Sequence, residues 1–201
     1  VPGAIDAFCR LSEEVGNLGI DRLLGPAIHY AEIGVPVAPR VASDWARDAS
    51  VLQGKARETF LAGKQIPEAG QIFKAPGQAK VLRQIAKYGR DAFYTGEVAD
   101  DMLAALNRLG GQHTKADFAN TSSTKTTPIS GSYKGVDLVE HPPNGQGATA
   151  NLMLNIFDHF NISEMDPWGS QRAHIEAETA KLAYNARNRF IADFDYTTRL
   201  E

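Results

Sequence analysis

The segment best suited to binding chemistry is a short loop of prolines and glycines, Pro142-Pro143-Asn144-Gly145-Gln146-Gly147, between a strand-forming and a helix-forming sequence. In that setting, backbone amides and a helix N-terminus can receive an anion. The loop has no third glycine and no following lysine, so it matches neither a dinucleotide-binding nor a P-loop fingerprint. A tight strand-to-helix turn is the simpler interpretation. We therefore predict a structural loop here and assign no substrate-binding residue.

The histidines and acidic residues do not have the spacing of a metal site. No two histidines stand four apart with an acid between them, as zinc hydrolases require. Glu176 and Glu178 follow His174, but neighbours two apart on a helix point to different faces. Asp193 and Asp195 supply too few of the roughly six oxygens that calcium or magnesium needs. The sequence thus predicts neither a metal nor a cofactor. The histidines are His29, His113, His141, His159 and His174.

No side chain has the setting of a catalytic nucleophile. Cys9 is the one cysteine of the sequence, which excludes an internal disulfide and a cysteine-rich metal site. Thr126-Thr127 precedes Pro128, and Thr197-Thr198 lies close to the end of the sequence. Neither pair resembles a buried hydroxyl that is assisted by a base. We expect no catalytic residue in this chain.

Composition argues against a nucleic-acid-binding protein and against a membrane-spanning segment. The 201 residues amount to one large domain or two small ones. With 21 basic against 24 acidic residues, the chain has no excess of cations for binding a phosphate backbone, so nucleic-acid binding is disfavoured. No apolar run approaches the roughly 20 residues that span a bilayer. The compartment stays open, because a periplasmic, secreted or cytoplasmic parent protein fits equally well.

Periodic apolar residues predict a mainly helical chain with one short pair of strands. Ala4, Phe8, Leu11 and Val15 recur as on one face of a helix over residues 3–15. Asp21 is a candidate N-cap of a second helix, which ends at Gly34. Thr114 and Asp117 have the spacing of a capping box. Further helices are predicted over residues 41–49, 81–88, 98–109 and 170–192, and short loops over 54–77.

The amino-acid composition changes after Asn120, where residues typical of strands predominate. Ile129–Tyr133 and Val136–Val139 are predicted as two strands around Lys134-Gly135. A helix that carries Leu152, Leu154, Ile156 and Phe157 follows the proline-glycine loop. In the last helix we expect an inner face, formed by Ile175, Thr179, Leu182, Ala183, Ala186 and Phe190.

Short motifs along nearly the whole chain resemble the gamma-glutamyltranspeptidase family. Each motif alone is weak, but together, in the right order, they are specific. The loop Pro142–Gly147 has the form that is found in the acylase-like branch of that family. The other matching segments are Val1-Pro2-Gly3-Ala4; Leu23-Leu24-Gly25-Pro26-Ala27-Ile28 with Ala31 and Gly34; Ile85-Ala86 with Gly89, Ala92-Phe93-Tyr94 and Gly96; Gly110-Gly111 with Thr114 and Asp117; Thr127-Pro128-Ile129 with Tyr133 and Gly135; and Glu176-Ala177, Lys181-Leu182-Ala183-Tyr184 and Arg187.

The resemblance implies a segment of an αββα N-terminal-nucleophile hydrolase whose proenzyme cuts itself into a large and a small subunit. In that family a freed N-terminal Thr attacks a gamma-glutamyl amide, its own amine acting as general base. The family's Thr-Thr-His junction does not occur here, and its carboxylate-binding Arg precedes the segment that resembles Val1-Pro2-Gly3. We therefore expect one continuous, inactive fragment of the large subunit. Residues 1–125 would form its helical part, and residues 126–201 its strand pair, loop and C-terminal helices.

The resemblance leaves three functions open. The first is a gamma-glutamyltransferase or glutathione hydrolase that acts on small gamma-glutamyl compounds. The second is an amide acylase of the kind that removes beta-lactam side chains, and the third is a non-catalytic helical scaffold. The implied partner is the remainder of the autoprocessed enzyme, including the small subunit. Because a lone strand pair is marginal in water, self-association of the fragment as a homodimer is a further expectation.

Overall fold

The structure is a computed structural model that describes residues 1–61 and 65–193. Helices hold 61% of the described residues and strands 7%, which confirms the mainly helical prediction. The chain divides into two compact units, unit 1, Val1–Ser123, and unit 2, Thr124–Glu201. In the described parts of the chain, no helix combines the length and the apolar character needed to cross a membrane.

Unit 1 is built from helices that are joined by short turns. All helices expected from the sequence in this part are present, with ends shifted by a few residues. Strands β1 (Val35–Pro36) and β2 (Ile72–Phe73) pair antiparallel. The helices are α1 (Ala4–Val15), α2 (Ile20–Ile33), α3 (Pro39–Asp48), α4 (Gly54–Phe60), α5 (Pro76–Tyr88), α6 (Asp91–Tyr94), α7 (Glu97–Arg108) and α8 (Lys115–Ala119), with a 3-10 turn at Ala49–Val51.

Two local predictions in unit 1 were wrong. Asp21 is not the N-cap of α2: the helix begins at Ile20, and Gly19 precedes it without a side-chain cap. The stretch after Gln53 was predicted as short loops, yet α4 forms there. Its residues Lys55-Ala56-Arg57-Glu58 are good helix formers, and the glycines and prolines that suggested loops lie at its start and beyond its end.

Gly34 ends α2 in the left-handed region that the sequence predicted, with a φ of +89°. A Cβ at this position would stand 2.4 Å from Ile72 Cγ2 and 2.8 Å from the backbone oxygen of Phe73. Glycine therefore allows β1 to start directly after the helix and to lie against β2. The β1–β2 pair itself was not predicted, because strands of two residues carry no periodicity.

Helix α1 exists where the apolar spacing predicted it, but its apolar residues are not its buried ones. Phe8 and Leu11 are 56% and 57% exposed, whereas Asp6 and Cys9 are buried. Phe8 and Leu11 line a shallow apolar groove together with Leu23 of α2. The opposite side of α1 is held by polar contacts of Asp6, which the periodicity of apolar residues cannot reveal.

A buried apolar cluster of unit 1 lies between α7 and α8. Phe118 is fully buried against Ala99 and Leu103, and Met102 and Leu106 pack around them. The predicted capping box fixes the start of α8: Thr114 N donates to Asp117 Oδ2 at 2.8 Å, and Asp117 N donates to Thr114 Oγ1 at 3.3 Å. The box orients the short helix that presents Phe118 to this cluster.

Unit 2 contains the second strand pair and two long helices. Strands β3 (Ile129–Tyr133) and β4 (Val136–Glu140) pair antiparallel, as predicted, with Ile129 opposite Glu140. Helix α9 (Gly147–Phe157) packs on β3, where Gly131 leaves room for Asn151. Helix α10 (Ser170–Phe190) follows a 3-10 turn at Ile162–Glu164 and packs on α9.

The inner face of α10 was only partly predicted. Thr179 and Ala183 are buried, as expected, but Leu182 is 60% exposed and Phe190 45% exposed. Successive buried residues four apart define a narrow stripe towards α9, and Leu182 lies to one side of it. Trp168, in the turn before α10, is 95% exposed although nothing in the sequence set it apart.

Candidate functional site

A cleft with a volume of about 680 Å³ lies in unit 2. All six residues of the proline-glycine loop line it, and they meet two threonines that precede β3 and the residues that end β4. The lining residues are Thr124, Thr126, Glu140, His141, Pro142, Pro143, Asn144, Gly145, Gln146, Gly147 and Ala150. The structural role of the loop stays a prediction.

The hairpin brings these residues together. Because Ile129 pairs with Glu140, the residues before Ile129 and those after Glu140 leave the sheet at the same end. Thr124 and Thr126 therefore face the loop across the cleft. Sequence reasoning considered Thr126 only as a nucleophile and did not consider Thr124. The strand register is the signal that would have placed both beside the loop.

The loop is compact and closes directly on α9. The amide of Gly145 donates to the carbonyl of Pro142 at 3.1 Å, and the peptide bond between Pro143 and Asn144 is cis. The amides of Thr149 and Ala150 donate to the carbonyl of Gln146, at 2.9 and 3.4 Å, in the first turn of the helix. The strand-to-helix turn predicted here is thus present.

Gly147 is buried where the start of α9 meets the end of β4. A Cβ at this position would stand 2.4 Å from Glu140 Cβ, 2.7 Å from the carbonyl oxygen of His141 and 3.0 Å from Glu140 Oε2. The carboxylate of Glu140 therefore lies beside the first residue of α9. A negative charge near a helix N-terminus is stabilised by the helix dipole. The carboxylate of Glu140 thus lies at the helix N-terminus where the sequence suggested that an anion could bind.

Chemically, the cleft combines hydrogen-bonding groups with apolar surface. Thr124 and Thr126 bring hydroxyl groups, Asn144 and Gln146 bring carboxamides, and Glu140 brings a carboxylate. Such a set suits a small polar molecule with several donors and acceptors. The threonines are exposed, so neither has the buried setting of an activated nucleophile.

A second polar cluster lies inside unit 1, around the carboxylate of Asp6, which is only 1% exposed. Ser123 donates to Asp6 Oδ2 twice, from its amide at 2.6 Å and from its hydroxyl at 2.5 Å. Arg90 Nε donates to Asp6 Oδ1 at 2.5 Å. The amide of Asp6 donates to Tyr94 Oη at 3.2 Å, and the Tyr94 hydroxyl donates to the Pro2 carbonyl at 2.7 Å.

Arg90 extends this cluster to the end of α8. Its Nη2 donates to the carbonyl oxygens of Ala119, at 2.9 Å, and of Thr121. The guanidinium also lies over the Tyr94 ring, 4.7 Å from the centroid. Each acceptor of Asp6 is thus engaged by a hydrogen-bond donor, which favours a structural role for the carboxylate over a catalytic one. No sequence pattern indicated this cluster, because its members lie up to 117 positions apart.

Hydrogen bonds decide the charge of Asp6. Those from the Ser123 hydroxyl and amide and from Arg90, opposed by burial, lower the pKa of Asp6 to about 2 from its ordinary value of 3.8. Burial raises the pKa of the nearby Cys9 thiol, helped by the charges of Glu13 and Asp6 and opposed by Arg90. At neutral pH Asp6 is therefore ionised and Cys9 is a neutral thiol, which is a poor nucleophile.

The lowered pKa gives a testable dependence of stability on pH. The unfolded state binds the proton at a higher pH than the folded state, so the contribution of Asp6 is complete above pH 4 and is lost as the pH falls towards 2. Its full size is on the order of 2 kcal/mol. Urea unfolding at pH 5, 4, 3 and 2 measures it as the difference between the wild-type protein and Asp6→Asn. If the free energy of unfolding changed with pH in the same way for the two proteins, the prediction would be wrong.

Within residues 1–61 and 65–193, no three His, Cys, Asp or Glu side chains are grouped so that they could hold a metal ion. His174, Glu176 and Glu178 follow one another along α10, where Arg172 pairs with Glu176 at 2.7 Å and Lys181 with Glu178 at 2.7 Å. Asp195 lies outside the described residues.

A comparison with known protein families gives a match over the whole chain. A family model described as gamma-glutamyltranspeptidase matches residues 1–201. The glutathione hydrolase proenzyme of Bacillus subtilis (strain 168) is 30% identical over 200 residues, which are 98% of this chain and 34% of that protein. The acylase ACY 1 proenzyme of Pseudomonas sp. (strain SE83) is 31% identical over 201 residues, 96% of this chain and 35% of that protein.

Solved structures give the same match. The gamma-glutamyltranspeptidase of Helicobacter pylori superposes with a TM-score of 0.90 at 26% identity, over 100% of this chain and 58% of that one. The cephalosporin acylase from Bacillus halodurans superposes with a TM-score of 0.86 at 33% identity, over 99% of this chain and 38% of that one. The chain spans about a third of the length of the curated relatives it matches.

Proposed function

Because this chain belongs to the gamma-glutamyltranspeptidase family, whose members include glutathione hydrolases and acylases, we propose that it forms part of an enzyme that cleaves gamma-glutamyl amides. The observation that carries the proposal is the match of the family model along all 201 residues. The superposition on the Helicobacter pylori enzyme with a TM-score of 0.90 supports it.

The reaction we propose proceeds through a covalent acyl-enzyme. An N-terminal Thr from outside these 201 residues attacks the gamma-glutamyl carbonyl while its own amine takes the proton. The amine of the substrate leaves, and the acyl group passes to water or to an amino acid. In this scheme residues 1–125 and 126–201 both belong to the large subunit, and their partner is the rest of the processed protein. The name proenzyme, which the curated relatives carry, supports such processing.

Within that enzyme we assign the loop Pro142–Gly147 a structural role: it shapes the polar cleft of unit 2. The residues 1–201 alone should then have no hydrolase or transferase activity, since removing the nucleophile of a covalent mechanism costs many powers of ten in rate. We also propose that the rest of the protein, or a second copy of the fragment, covers the exposed edge of the β3–β4 hairpin.

An acylase that removes beta-lactam side chains is the second candidate. It is favoured by the 33% identity to the cephalosporin acylase from Bacillus halodurans and by the Pro-Pro-Asn-Gly-Gln-Gly form of the loop. Both reactions use the same nucleophile and differ in the acyl group that the site accepts. The choice between them is therefore a matter of substrate specificity.

One experiment separates the candidates. The purified full-length protein is assayed with a gamma-glutamyl anilide and with a cephalosporin that carries an acyl side chain. The ratio is the kcat/KM for the anilide divided by the kcat/KM for the cephalosporin. We expect self-cleavage into two subunits and a ratio above one. A ratio below one would favour the acylase. A protein that neither cleaves itself nor turns over either substrate would contradict both and favour the non-catalytic scaffold. The residues 1–201 and a variant with Ala in place of the new N-terminal Thr are the controls.

A further inference from the structure

The segment that follows α8 has few backbone hydrogen bonds of its own. The amide of Asn120 donates to the Ala116 carbonyl at 2.9 Å, and that of Thr121 donates to the Phe118 carbonyl at 3.2 Å. Two residues later, the amide of Ser123 is held by the carboxylate of Asp6. The last residues of unit 1 thus depend on side chains from distant parts of the sequence.

Two side chains that contact each other hold the two ends of this segment. Asp6, on α1, binds the amide and the hydroxyl of Ser123. Arg90, directly before α6, binds the carbonyls of Ala119 and Thr121. The two are joined to each other by the contact of Arg90 Nε with Asp6 Oδ1 at 2.5 Å. One ion pair therefore ties α1, α6 and residues 119–123 together.

We propose that Asp6 and Arg90 form a latch that keeps residues 119–123 closed on unit 1, and that breaking it opens this segment while the helices stay folded. Local opening is controlled by the contacts that hold a segment, and here a buried carboxylate and a partly buried arginine supply four of them. Hydrogen bonds to charged groups are stronger than neutral ones, so their loss has a large effect on such an opening. The proposal concerns a conformational device of unit 1 and does not depend on the enzymatic activity.

The side chains around the latch differ in exposure: Asp6 is 2% exposed and Arg90 26%. Arg10 also donates to the carbonyl and the hydroxyl of Ser123, but it is far more exposed than Asp6. Asp91 pairs with the other side of Arg90 at 3.0 Å and is 75% exposed. Asp91→Asn is thus a matched control, since it removes a carboxylate from the same arginine without touching residues 119–123.

Hydrogen exchange under native conditions tests the latch. In Asp6→Asn the amide of Ser123 should exchange at least about tenfold faster than in the wild type. This exchange should be independent of low concentrations of urea, as local opening is, whereas amides in the middle of α7 should exchange through global unfolding and accelerate with urea. Trypsin cleavage after the exposed Lys125 should accelerate in parallel, because a protease needs several neighbouring residues in an open state. Asp91→Asn should change both rates by less than about twofold.

Two outcomes would overturn the proposal. One is a folded Asp6→Asn protein with wild-type exchange at Ser123; the other is exchange at Ser123 that rises with urea as steeply as in α7, which would mean that the segment opens only by global unfolding. If Asp6→Asn does not fold, Arg90→Lys replaces it. A lysine keeps the charge but cannot bind Asp6 and two carbonyls at once, so exchange over residues 119–123 should still rise. Unchanged exchange in Arg90→Lys would equally refute the latch.

Discussion

Replacing Phe118 by Ala should lower the free energy of unfolding by about 4 kcal/mol, because it removes a fully buried ring from the apolar cluster of unit 1. The ring lies against Ala99 and Leu103 and meets the His113 ring edge-on, with centroids 6.4 Å apart. Ala99 and Leu103 both belong to α7. Urea unfolding followed by circular dichroism measures the loss.

Leu109→Ala is the matched control for the Phe118 variant. Leu109 directly follows α7, the helix that Phe118 packs against, but is 82% exposed. Its truncation should cost less than about 0.5 kcal/mol, as is usual for surface positions. If both variants lost the same stability, the apolar cluster placed between α7 and α8 would be wrong.

Several helices of this chain could be predicted well because a local signal marks one of their ends. Gly34 and Gly89 end helices with positive φ angles, and Thr114 begins α8 with a capping box that depends only on residues three apart. The strand pair β3–β4 was predicted for the same reason, since Lys134 and Gly135 form a tight turn with positive φ angles. Local chemistry was sufficient at all these positions.

Which face of a helix is buried could not be predicted as well. The apolar residues Phe8 and Leu11 suggested the inner face of α1, yet Asp6 is buried instead through contacts with Arg90 and Ser123. A buried carboxylate is stable only when distant donors satisfy it. Sequence periodicity contains no information on such donors, so the polar cluster of unit 1 and the exposed apolar groove of α1 were both missed.

The resemblance to the gamma-glutamyltranspeptidase family is confirmed by the family match over residues 1–201. It rested on short motifs, many of which contain glycine or proline. The structure gives a physical reason for two of them. Gly34 is required by its left-handed conformation and by its contact with β2, and Gly147 by the approach of α9 to β4. Motifs of this kind report backbone geometry, which explains why they identify a fold better than a substrate.

Gly147 is accordingly the position where one methyl group should matter most for the cleft. In Gly147→Ala the new Cβ would meet Glu140 Cβ at 2.4 Å and the His141 carbonyl oxygen at 2.7 Å. Both atoms are fixed by the backbone at the end of β4, so neither can move like the end of a flexible side chain. We expect a loss of about 3 kcal/mol in the free energy of unfolding, at the upper end of what overpacking costs. Thermal unfolding measures it.

Gly77→Ala is the matched control for Gly147→Ala. Gly77 lies in the first turn of α5 and has no atom within 4 Å of where a Cβ would stand. Alanine there should leave the stability within about 1 kcal/mol of the wild type, or raise it, because alanine favours helices. The Gly147 variant should also shift the NMR signals of Asn144–Ala150, since α9 must move away from Glu140. Equal stability of the two variants, with unshifted signals around the loop, would show that the loop and helix adapt freely. The cleft would then not depend on this glycine.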